Sequence, residues 1–131
     1  MLPSLQDLCE RILSGQLLPA TMFDEIDFYA IMNARDSDPE YEALWLEADK
    51  ALETKWKAVA HPPGQKQLEE DVRREAYLAT IRVTNEPELA ACVSDDFGLI
   101  AKASVLRLEL PLVQWLWDSY VLGEIPRPDI P

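Results

Sequence analysis

The sequence predicts an all-α fold, a compact bundle of five to six helices. Three observations point to it. Apolar residues recur at intervals of three and four along most of the chain. Four helix starts carry an explicit capping signal. No Asn-Gly or Asp-Gly dipeptide, the usual marker of a tight hairpin, occurs anywhere. At 131 residues, with 48% hydrophobic and 27% charged residues and only four glycines, the chain has the composition of one globular domain that buries its own core. Residues 1–131 are therefore expected to form a single helical domain.

The first helix is expected over Leu5 to Ser14. Ser4 serves as its N-cap and Asp7 sits in its first turn; Leu5, Leu8, Cys9, Ile12 and Leu13 form its apolar face, and Gly15 ends it. Thr21 with Asp24 repeats the capping signal, so a second helix is expected to carry Met22, Phe23, Ile26, Tyr29, Ala30 and Met32 inward and to end near Asn33 to Ser37. Asp38-Pro39 opens a third helix running to about Ala60, because proline is preorganised for the first helical position and aspartate accepts from the free amides behind it. Its apolar side is Tyr41, Leu44, Trp45, Ala48, Leu52, Trp56 and Val59, opposite Glu42, Asp49 and Glu53.

His61-Pro62-Pro63-Gly64 must interrupt the helix, placing an internal break at 61–64 with helices three and four as an antiparallel pair across it. Helix four is expected over Gln65 to Thr84, polar at first and apolar nearly all round at its end. Asn85-Glu86-Pro87 caps a short helix to about Val93, and Ser94-Asp95-Asp96 caps another from Asp95 to about Leu108. The alternation in Val105 to Leu110 is the one stretch with a strand-like period. Pro111 opens a last helix ending at Gly123, whose apolar residues Leu112, Val113, Trp115, Leu116, Trp117, Tyr120, Val121 and Leu122 point to the centre of the bundle. The proline-rich tail, 124–131, is expected to lie extended, with Ile125 as its anchor.

Charge is the main functional signal. Between Asp24 and Glu53 stand ten carboxylates against Arg35 and Lys50, so this window carries −8 of the formal −12. Acid of this density repels phosphates and anionic lipid heads, which excludes nucleic acid and membrane surfaces as partners and favours a basic protein surface. Solubility alone is the competing explanation. No apolar run approaches the eighteen or so residues of a membrane span, and the N-terminus has no basic, signal-like segment. Cys9 and Cys92 lie in apolar stretches without partners at metal spacing, as expected of thiols in a reducing cytoplasm.

No motif for catalysis stands out. His61 is the sole histidine and precedes two prolines, no Glu-x-x-His pair occurs, and the acidic clusters Asp24-Glu25-Asp27 and Glu69-Glu70-Asp71 lack the turn glycine of a calcium loop. Four scattered glycines make no phosphate cradle, so neither cofactor nor metal is implied. The expected function is a non-enzymatic acidic binding module, like an immunity protein, antitoxin or regulator, that covers a basic surface of its partner through Asp24, Asp27, Glu42, Asp49 and Glu53. The alternatives are a nucleic-acid mimic occupying a basic groove and a small enzyme built on paired carboxylates.

Overall fold

The computed structural model describes residues 2–128 and contains, among them, six α-helices, one 3-10 turn and no strand. The helices are α1 (Leu5–Leu13), α2 (Phe28–Asp36), α3 (Pro39–Ala58), α4 (Gln65–Thr84), α5 (Pro87–Leu106) and α6 (Pro111–Val121). The expected caps hold at α1, where Ser4 Oγ accepts from the Asp7 amide, and at α3, where Asp38 accepts from the Tyr41 amide ahead of Pro39. Gly15 and Gly123 both take the left-handed conformation that ends a helix, with φ of 81° and 77°. After α6 the Glu124 amide bonds the Ser119 carbonyl and the Gly123 amide bonds the Tyr120 carbonyl, the paired pattern of a Schellman ending.

Four expectations are corrected. The second helix does not start at Thr21: Ala20–Phe23 is a 3-10 turn, and α2 begins after Asp27, whose side chain accepts from the Ala30 amide. The two helices expected over 86–108 are one twenty-residue helix, because Ser94 turns its hydroxyl to the Arg73 carbonyl and Asp96 turns inward. That helix, and not α6, is the centre of the bundle; Leu89, Val93, Phe97, Ile100 and Ala101 are all fully buried. α6 instead leaves Val121 and Leu122 exposed.

The fourth correction is that α3 and α4 are not a packed pair. α5, apolar on nearly every side, takes α4 along most of its length, α1 packs on α4, and α3 and α6 pack on α5 and on each other. The strand-like stretch continues α5 to Leu106, turns at Arg107 with φ of 53° and runs extended into Pro111. In the tail Ile125 is buried as expected, while Asp129, Ile130 and Pro131 lie outside the described residues.

Candidate protein-binding face

The geometry of the acidic half rests on one carboxylate. Asp96, in the middle of α5, is fully buried and accepts four hydrogen bonds. Arg35 from α2 donates to both of its oxygens at 2.8 Å, the Trp45 indole from α3 donates at 3.0 Å, and the Tyr120 hydroxyl from α6 at 2.6 Å. Arg35 also donates to the Pro126 carbonyl at 3.1 Å, tying in the tail. Burial opposes the charge of Arg35, but Asp96 more than offsets it and holds the guanidinium above its ordinary pKa. With every lone-pair direction of Asp96 occupied, the cluster is a fastening between helices; it leaves no open position for a substrate.

Arg35 lies over the ring of Tyr41, its carbon 5.4 Å from the centroid, and Tyr41 meets Trp115 edge to face at 5.9 Å. Trp115 is thereby held half-buried between two hollows. One is a groove of about 530 Å³ between α3 and the start of α6, with a mostly apolar floor that includes Leu44, Ala51, Leu112 and Trp115. Asp38, Glu40 and Glu47 edge it, and among the described residues none that lines it is basic. The other hollow brings Asp24, Glu25, Asp27 and Glu124 around Trp115 and Ser119, with Arg127 as its basic member.

The five acids expected to bind a partner fall into two groups. Asp24 and Asp27 are exposed and line the second hollow, although Asp27 also caps α2. Glu42, Asp49 and Glu53, seven and four residues apart, share one flank of α3, while Glu40, Leu44, Glu47 and Ala51 share the opposite flank. Glu42 is exposed; Asp49 and Glu53 are half-buried. Glu53 is engaged within the fold, 3.4 Å from Lys102, which also lies 3.0 Å from buried Glu69. Asp95 carries a raised pKa through partial burial, then Asp96 and Asp49, so carboxylates crowd this side of the molecule.

His61 closes the break between α3 and α4. Its ring stacks on Trp56 at 3.9 Å, and its nitrogens face the Gln65 side-chain oxygen and the Trp56 carbonyl. Among the described residues no group of three or more acidic, histidine or cysteine side chains could hold a metal ion, and no helix is long and apolar enough to cross a membrane.

Asp96 and the groove are not among the features expected from the sequence. Asp96 continues the stripe Leu89, Val93, Asp96, Ile100, Ala103, a carboxylate in an otherwise apolar line, and that placement is the signal that marks it as buried. For the groove, the signal is the Glu40, Leu44, Glu47, Ala51 stripe, which carries an exposed leucine among acids.

Fold and face together define a helical, acidic module in which a half-buried tryptophan and a half-exposed leucine are grouped beside carboxylates. The chain belongs to the Immunity protein PIM1 family, whose model matches residues 7–127. No curated protein matches it significantly.

Proposed function

We propose that this chain is a non-enzymatic immunity protein that neutralises a partner protein by covering a basic surface with the acid concentrated between Asp24 and Glu53. The observation that carries this reading is the family match, joined to a net −8 within thirty residues, of which Asp24, Asp27 and Glu42 project into solvent. Opposed potentials speed encounter and reject wrong partners, which suits a protein that must block its target quickly. The unpaired thiols Cys9 and Cys92 fit action in the reducing cytoplasm.

The test is capture of the partner from native cells, identification, and co-expression with this chain. The parent chain should relieve the partner's toxicity, and a variant carrying Asp24→Lys, Glu42→Lys and Asp49→Lys should not. Asp27 and Glu53 are left unchanged because one caps α2 and the other neighbours Lys102, so their reversal would weaken the fold itself. Equal protection by the parent and the triple variant would reduce the acid to a solubility feature.

A further inference from the structure

We infer that the groove between α3 and α6 seats an apolar side chain of the partner, carried on a segment flanked by lysine or arginine. This rests on the protein-binding reading above and places its anchor at a different flank of α3 from the acids chosen on sequence grounds. Leu44 is 49% exposed and stands on the groove beside Trp115 and Leu112, so its apolar surface is continuous with theirs. Trp115, half-buried and braced by Tyr41, offers a rigid aromatic wall of the kind that anchors interfaces.

Charge fixes the chemistry of the occupant. Glu40 and Glu47, both exposed, stand one on either side of Leu44 along the same flank, and Asp38 adds a third carboxylate at the edge. An apolar residue entering between them brings its neighbours within reach of these acids, so those neighbours are favoured when cationic and excluded when acidic. The second hollow, sharing Trp115 and lined by Asp24, Glu25, Asp27 and Glu124 against the single Arg127, extends the excess of acid along the segment. A second copy of this chain is a poor occupant, because it would bring another −12 against an acid-edged groove.

The experiment titrates the isotope-labelled full chain with a synthetic basic peptide, acetyl-Lys-Lys-Leu-Phe-Lys-Lys-amide, and with the same peptide carrying glutamate at every lysine. The basic peptide should shift the backbone signals of Leu44, Ala51 and Leu112 and the indole signal of Trp115, and the acidic peptide should not. Leu44→Lys and Glu47→Lys, both at exposed positions, should each weaken the peptide tenfold or more while the melting temperature stays near that of the parent. Shifts centred elsewhere, equal binding of the two peptides, or unchanged affinity in Leu44→Lys overturns the inference. A dimer in sedimentation that Leu44→Lys dissolves would also overturn it, by assigning the groove to a second copy.

The same variants separate this inference from the reading it rests on. Partner capture lost in the Asp24, Glu42, Asp49 triple variant but intact in Leu44→Lys leaves the acidic-surface reading standing and removes the groove. Peptide binding at the groove with capture unaffected by the triple variant does the reverse.

Discussion

Asp96 is the residue on which most of the acidic half depends. A buried ion pair is weak evidence of net stability, but breaking one strands a charge in the core, typically at about 3–5 kcal/mol. Asp96→Ala should therefore cost about 3–5 kcal/mol in urea unfolding, because it also strips partners from Arg35, Trp45 and Tyr120. A loss under about 1 kcal/mol would mean the cluster relaxes around water. Tyr41 gives the opposite case. Its hydroxyl is buried with no hydrogen-bond partner among the described residues, so Tyr41→Phe should leave stability unchanged or raise it by about 1 kcal/mol. The apolar stripe around Asp96 marks it as buried, but its partners are not legible in the sequence. The partners of Asp96 stand 61, 51 and 24 positions away, and locally Ser94-Asp95-Asp96 has the composition of a helix cap.

At the scale of elements, neighbours on α6 play different parts. Leu116 is fully buried and Trp115 is half-buried on the groove. Leu116→Ala should cost about 2–5 kcal/mol by thermal or urea unfolding. Trp115→Ala, at a residue the sequence places with Leu116 in the centre of the bundle, should cost clearly less stability than Leu116→Ala and should show instead as lost partner capture. If both variants melt alike, Trp115 is part of the core and the groove loses its wall. Helix ends written in local chemistry were legible: Asp38-Pro39, Gly15 and Gly123 act where their capping physics puts them. What failed was decided across the fold. Ser94 bonds the Arg73 carbonyl of the neighbouring helix and lets α5 run on, and the long apolar surface of α5 draws α4 to itself in place of the α3 pairing. No local signal contains either outcome.

For the whole molecule, protonation and charge act in separate pH ranges. Burial pushes the Cys92 thiol from 9.0 up to about 11, against the pull of Arg35, and raises the hydroxyls of Tyr41 and Tyr120 as well. The folded state holds these protons more tightly than the unfolded chain, so the Cys92 contribution is complete below about pH 9 and is lost as pH rises from there through about 11, while the tyrosine contributions begin to be lost only above about pH 10. Urea midpoints should fall across that interval, and Cys92→Ala should flatten part of the fall. At neutral pH the proposed association rests on the acidic window instead, and its exposed, uncommitted charges such as Asp24 and Glu42, screened beyond about 10 Å at 0.1 M salt, add little to stability. The most direct measurement is therefore the affinity of the identified partner for the parent chain and for the Asp24→Lys, Glu42→Lys, Asp49→Lys variant at low and high salt. The variant should bind about tenfold or more weakly at low salt, mainly through slower association, and the difference should shrink as salt rises. Equal affinities with equal salt dependence would contradict the acidic-surface reading.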